Sequence, residues 1–172
     1  GTIRGLKAID PRIRGYVLEP TGASAIAGGN VTQSDHPIQG GGYAMGDLSF
    51  MEDTPVDGYL TVSGDHARDM SRALAKEEGI FAGFSAGANV AAALTLLEGH
   101  ERGGTIGVVI CDSGLKYLST DLFTEFSGTY SRNSVESPSS VRRRIRPPMA
   151  VSCEKPSAMD ARCAIAFRGI SV

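Results

Sequence analysis

Thr105-Ile106-Gly107-Val108-Val109-Ile110 is the stretch that decides the fold class of this 172-residue chain. A short run that is apolar on both faces reads as a buried strand, and its pattern predicts a central, parallel one. Upstream, residues 86–97 form an Ala-rich helix with Val90, Leu94 and Leu97 as its apolar stripe, ended by Gly99. Before that, Ala67, Met70 and Leu74 recur at helical spacing over 64–77, and Gly79 is placed to cap that helix. Residues 56–62 read as a short strand. Residues 21–55 are a long irregular stretch rich in Gly, Ser, Asp and Pro, of the kind that is functional more often than idle. Tyr16-Val17-Leu18 reads as a buried strand ending at Glu19-Pro20, and residues 1–9 as the end of a helix stopped by Asp10-Pro11. Strands alternating with helices give an α/β domain: an open, mostly parallel sheet with helices on both faces. Three strands are few for such a sheet, which predicts an incomplete one.

Charge divides the chain in two. Residues 1–123 hold nine Lys/Arg and fifteen Asp/Glu, whereas residues 124–172 hold eight and four. The second stretch also carries nine serines, the basic run Arg142-Arg143-Arg144 with Arg146, and Pro147-Pro148. With no sustained period of either kind, 124–172 is expected to be an irregular tail on an acidic folded body. Hydrophobic residues at 41% and charged residues at 21% are ordinary for a globular protein. A formal net charge of −2 favours neither nucleic acid nor an anionic membrane. No apolar run approaches the roughly 18 residues of a membrane span, and Gly1-Thr2 does not open a signal or transit sequence. Cys111, Cys153 and Cys163 are an odd number without Cys-x-x-Cys spacing. They point to a reducing compartment, read as cytoplasmic, rather than to a disulfide framework or a structural zinc site. His36, His66 and His100 lack metal-ligand spacing, so no metal is assigned.

Two short motifs could carry chemistry. Gly83-Phe84-Ser85-Ala86-Gly87 satisfies G-x-S-x-G and precedes a helix, the pattern of a hydrolase nucleophile elbow. That fold needs an acid and then a His downstream, and the only downstream His is His100, just past the same helix. Ser85 is therefore read as a helix N-cap, or as part of a glycine-eased helix start that presses on a ligand or another backbone. Cys111-Asp112-Ser113-Gly114 follows the 105–110 strand, where open α/β sheets bind ligands; it is equally good turn chemistry. Gly40-Gly41-Gly42 allows close approach to a ligand or makes a plain flexible loop.

Three of these segments, in order, resemble the cysteine synthase family of pyridoxal-phosphate enzymes, which is related to cystathionine β-synthase. His36-Pro37-Ile38-Gln39-Gly40-Gly41-Gly42 resembles the family's H-K-I-Q-G-I-G loop. Glu77 to Ala88 resembles E-E-G-I-x-A-G-I-S-S-G-A. Asp112 to Thr120 resembles D-S-G-E-R-Y-L-S-T. Gly1-Thr2 matches the end of the family's G-T-G-G-T phosphate loop, and Val17-Leu18-Glu19-Pro20 resembles its V-E-P. The likeness covers 1–123 and stops after Leu122-Phe123.

The resemblance implies a tryptophan-synthase-β-like fold and pyridoxal 5′-phosphate as cofactor. It implies β-replacement on an O-activated serine, with an amino-acid substrate, sulfide or another thiol as donor, and a homodimeric parent enzyme. A cystathionine-type synthase, a serine/threonine dehydratase-like lyase, and a non-catalytic fragment that only associates with other subunits are the alternatives. Carried over by motif, Ser113 would meet the pyridine nitrogen of the cofactor, with Asp112 as the neighbouring alternative. Gly1 and Thr2 would hold its phosphate, and Gly40 and Gly42 would border the substrate side. Leu115 and Lys116 depart from the family's Glu-Arg, and Gly41 and Tyr43 from its Ile and Ala. None of Lys7, Lys76, Lys116 and Lys155 sits in the family's Schiff-base lysine motif. The chain alone is therefore expected to be inactive and poorly folded, with Ile3, Leu6 and the apolar sides of 86–97 partly exposed.

Overall fold

The computed structural model describes residues 1–40 and 44–124, together with the backbone of a strand at Arg162–Ala166. In chain order these form α1 (Thr2–Ile9), β1 (Arg14–Pro20), β2 (Gly58–Val62), α2 (Gly64–Ala73), α3 (Phe84–Glu98), β3 (Thr105–Val108), α4 (Asp121–Thr124) and β4 (Arg162–Ala166). The strands make one parallel sheet in the order β2-β1-β4-β3. Tyr16 to Pro20 run beside Gly58 to Val62 on one side, and Arg14 to Val17 beside Cys163 to Ala166 on the other.

Side-chain alternation on β1 shows why the sheet is covered on both faces. A Cβ on Gly15 would strike the Ile3 side chain, so that face carries α1. Tyr16 and Leu18 point the other way, into the buried cluster of Val62, Ala67, Phe84, Ala88 and Leu96 from β2, α2 and α3. Ile3 is only 6% exposed, so the expectation that it would lie open is corrected.

One further expectation is corrected. β3 is an edge strand of the described sheet, not a central one, and spans only Thr105–Val108; Val109 and Ile110 beyond it are largely exposed. An apolar run shows that a strand forms but not which strands flank it. The neighbour of β3 is β4, a short strand within the stretch expected to be largely irregular: Thr105 to Val108 pair with Arg162 to Ile165. Residues 125–161 and 167–172, with the Arg142–Arg146 cluster, lie outside the described residues.

In α3 the stripe of Val90, Leu94 and Leu97 is not the buried one. Phe84, Ala86, Ala88, Ala91, Ala92, Ala93 and Leu96 are buried, and Leu94 is exposed. The helix is wedged between α2 and the sheet, so its small residues mark its buried sides. At Gly87 a Cβ would lie 2.1 Å from the Ala67 carbonyl oxygen and 2.2 Å from Ser71 Oγ. The two helices approach that closely only because residue 87 has no side chain.

α2 begins at Ser63, whose hydroxyl accepts the His66 N–H, and it continues through a π-helical turn at Leu74–Glu78. Gly79, at φ +70°, ends that turn as the expected left-handed cap. Arg72 donates to the Leu122 and Asp121 carbonyls at 2.7 and 2.8 Å, which ties α4 to α2.

Candidate functional site

All four strands run the same way, so the loops leaving their C-terminal ends gather at one edge, the place where open α/β sheets bind ligands. After β1, the carboxylate of Glu19 is 2% exposed and accepts the Ile26 and Ala27 N–H groups, each at 2.9 Å. A buried carboxylate in a strand thus organises the start of the irregular 21–40 loop. Further along that loop Ile38 is buried in the core, and Pro37 packs over Gly64 at the head of α2. Gly40 follows with φ +84°, a left-handed conformation that glycine takes without strain.

After β3 the chain runs through Cys111, Asp112 and Ser113 into a 3-10 turn, Gly114–Tyr117. Ser113 is exposed and caps this turn, its hydroxyl oxygen accepting the Leu115 N–H at 3.3 Å. The backbone is fixed from outside: Ser113 bridges Ala82, and the Gly114 N–H donates to the Phe81 carbonyl at 3.0 Å. Asp112 is not free. Its Oδ2 accepts the Tyr117 hydroxyl at 2.7 Å and pairs with Lys116 Nζ at 3.2 Å. Asp112 Oδ1 is buried without a partner among the described residues. Burial, then the hydrogen bond to the Asp112 carboxylate, pushes the Tyr117 phenol well above its usual range.

The head of α3 lies against the same turn. Gly83, not Ser85, is the N-cap, and Ser85 is buried in the first helical turn, which corrects the N-cap reading of that residue. Asn89, also buried, donates to the Val109 carbonyl at 2.7 Å and fastens α3 to the exit of β3. Cys111 is exposed overall, but its sulfur is shielded beside Ser85 and Asn89; that burial pushes the thiol up, outweighing the Ser85 hydrogen bond. His100 lies past the other end of the 15-residue α3, about 22 Å from Ser85 at 1.5 Å per residue. No triad forms there.

The structure therefore brings together Ser113, Gly83 and the exit of β3, and at the same sheet edge the loop that carries Gly40. Gly42 lies outside the described residues. Gly1 and Thr2 open α1, and Gly1 caps it without a side chain. The contacts that seat α1 lie toward the other end of the sheet: Ile3 on Gly15, and Lys7 on Asp57 at 2.8 Å. They do not join Gly1 and Thr2 to the Ser113 turn. Sequence reading assigned nothing to Tyr117, Gly83 and Glu19, and named Asp112 only as an alternative to Ser113, not as the partner of Tyr117. The available signal was a Tyr five residues after an Asp across a turn, and an acidic residue inside an apolar strand.

Comparison with known proteins finds relatives of this chain. The family model described as pyridoxal-phosphate dependent enzyme matches residues 1–112. O-ureido-L-serine synthase of Streptomyces lavendulae is 41% identical over 129 residues, covering 72% of this chain and 38% of the relative. Cysteine synthase of Staphylococcus aureus is 36% identical over 131 residues, covering 72% and 40%. The crystal structure of cysteine synthase from Entamoeba histolytica superposes with a TM-score of 0.64 at 30% identity, over 70% of this chain and 35% of that one. The chain thus spans about two fifths of the length of the curated relatives it matches.

Proposed function

This chain belongs to the pyridoxal-phosphate dependent enzyme family, and on that premise we propose that it is a portion of an enzyme catalysing β-replacement on an O-activated serine. The products named for its relatives, cysteine and O-ureido-L-serine, are both alanine skeletons substituted at the β-carbon. The β-replacement is the chemistry they share; the nucleophile, sulfur in one and oxygen in the other, is not.

The observation that carries the reading is the state of Ser113. Its oxygen is held by the Leu115 N–H, so its own proton is left to donate to an acceptor at the sheet edge. The neighbouring carboxylate of Asp112 is already committed to Tyr117 and Lys116. This supports Ser113 rather than Asp112 as the partner of a pyridine nitrogen. The donor set fits the cofactor: a neutral hydroxyl donates to an unprotonated ring nitrogen without giving up its proton, as a carboxylic acid would. Pyridoxal phosphate, when bound, withdraws electrons from the substrate α-carbon, and with an unprotonated ring it does so weakly, which suits expulsion of a β-leaving group. Gly1 and Thr2 are assigned to the phosphate by motif; they open α1, whose N-terminus has no side-chain cap. Gly40, with its left-handed backbone, supports a close approach of the loop to the substrate side. Gly42 is assigned there with it by motif. The whole enzyme is read as a soluble homodimer that takes an amino-acid substrate and a small nucleophile, sulfide or another thiol.

Pyridoxamine 5′-phosphate, which binds without a lysine imine, tests this reading in a fluorescence titration of the full chain. Saturable binding that Ser113→Ala weakens severalfold is the expected result. Equal affinity for the wild-type chain and Ser113→Ala would overturn the assignment.

A further inference from the structure

A hydroxyl that must meet a ring nitrogen has to be held to within about 0.5 Å, yet Ser113 stands on an exposed turn at the end of an edge strand. Its backbone is held on one side by Ala82 and Phe81. On the other side the turn is closed by a side chain. Tyr117, at the end of the 3-10 turn, reaches back to the carboxylate of Asp112, the residue just before Ser113. Residues 112–117 are thereby closed into a ring that includes the serine. The Tyr117 ring is itself immobilised: it is 2% exposed and meets Phe84 edge-on, with centroids 5.6 Å apart at 80°. Gly83 is the floor of the lock, since a Cβ there would lie 2.2 Å from Tyr117 Cε2 and 2.4 Å from Asp112 Oδ1.

We propose that Tyr117 and Asp112 are positioning residues for the Ser113 hydroxyl, clamping its turn onto Gly83 at the head of α3. The inference rests on the reading of Ser113 as the partner of the pyridine nitrogen. The clamp explains two otherwise unaccounted features: an ion pair and a phenol spent on one partly buried carboxylate, and a helix whose first turn has no side-chain cap. The phenol donates to the carboxylate and keeps its own proton, so Tyr117 plays no part in proton transfer. Its hydrogen bond fixes where Ser113 stands.

Tyr117→Phe keeps the ring and its contact with Phe84 and removes only the hydroxyl. The test uses the full chain, pyridoxamine 5′-phosphate as probe, and two readouts: probe affinity, and the pH at which the bound pyridine nitrogen protonates. A Ser113 hydroxyl donating to that nitrogen lowers its protonation pH, and Ser113→Ala raises it again. Tyr117→Phe is expected to weaken probe binding about tenfold, the loss of one charge-assisted hydrogen bond. It should also shift the protonation pH most of the way to the Ser113→Ala value. Hydrogen exchange should quicken over 113–117 and stay unchanged over 14–20 and 64–73. Asp112→Asn, which keeps an acceptor, should fall between the wild-type chain and Tyr117→Phe. If Tyr117→Phe leaves affinity and protonation pH at wild-type values while Ser113→Ala moves both, the clamp is wrong and the Ser113 reading stands. Faster exchange spread over 14–20 as well would make Tyr117 a general support of the fold and overturn the clamp. A probe that does not bind, or is indifferent to Ser113→Ala, overturns the Ser113 reading and the clamp with it.

Discussion

Replacing Gly87 by Ala tests how tightly the α2–α3 contact is set. In an exposed helix the change would add about 1 kcal/mol of helix propensity. Here the new methyl would sit 2.1 Å from the Ala67 carbonyl oxygen, 2.2 Å from Ser71 Oγ and 2.7 Å from the Ser71 N. Two of those three atoms are backbone, so no rotamer change relieves them, and α2 must back away by about 1 Å to restore ordinary contact distances. Such a shift opens the packing of Ala67 against Ala88 and Ala91, which are all almost fully buried. Overpacking alone costs about 1–3 kcal/mol, and the loosened cluster adds to it. Net of propensity, a loss of roughly 2 kcal/mol is expected, read as a lower urea midpoint at unchanged slope. Gly5→Ala is the matched control: Gly5 lies in α1 with open space where its Cβ would go, and it should gain about 1 kcal/mol. Adding Ser71→Ala to Gly87→Ala should recover little, because the backbone contacts persist. A Gly87→Ala chain as stable as the wild type would refute the close crossing and with it the account of why α3 is built from alanines.

Other perturbations probe different parts of the structure. The Glu101 side chain is fully buried, bonded to Arg14 and to the Tyr16 hydroxyl at 2.6 Å. Arg14→Met should therefore cost about 3 kcal/mol by denaturant unfolding, and adding Glu101→Leu should return most of it. The raised Tyr117 pKa makes stability fall at alkaline pH. The unfolded phenol ionises near pH 10 and the folded one only above that, so its contribution is full below about pH 10 and is lost as pH climbs toward the folded value. An absorbance titration should show Tyr117 ionising above the usual phenol range, a step that Tyr117→Phe deletes. The chain supplied with pyridoxal phosphate, O-acetylserine and sulfide should make no cysteine, because none of its four lysines lies in the family's imine-forming motif. Lys7 and Lys116 are moreover paired with Asp57 and Asp112. Measured cysteine formation would contradict this.

Much of the fold could be read from local pattern. Val17-Leu18 in β1, the 58–62 strand, the Met70–Leu74 face and Gly79 each carry a signal confined to a few residues. What could not be read depended on partners far away in the chain. The central place of β1, the edge place of β3 and the insertion of β4 between them are set by sheet order, which no run of apolar residues encodes. The wrong stripe in α3 has a different cause. Large apolar residues usually mark a buried face, but a helix squeezed between another helix and a sheet buries its small ones. At the candidate site, motif likeness proposes Ser113 and Gly40 from the sequence. The contact among Tyr117, Asp112 and Gly83 is not legible there, since it exists only once a turn brings residues 83, 112 and 117 together.

The central claim is that Ser113 donates its hydroxyl proton to the pyridine nitrogen of the cofactor. The most direct measurement is the 15N chemical shift of pyridine-labelled pyridoxamine 5′-phosphate bound to the full chain. The account predicts an unprotonated, hydrogen-bonded nitrogen near neutral pH, whose shift moves toward that of the free neutral ring in Ser113→Ala. A pyridinium shift, or a shift that Ser113→Ala leaves in place, would contradict it.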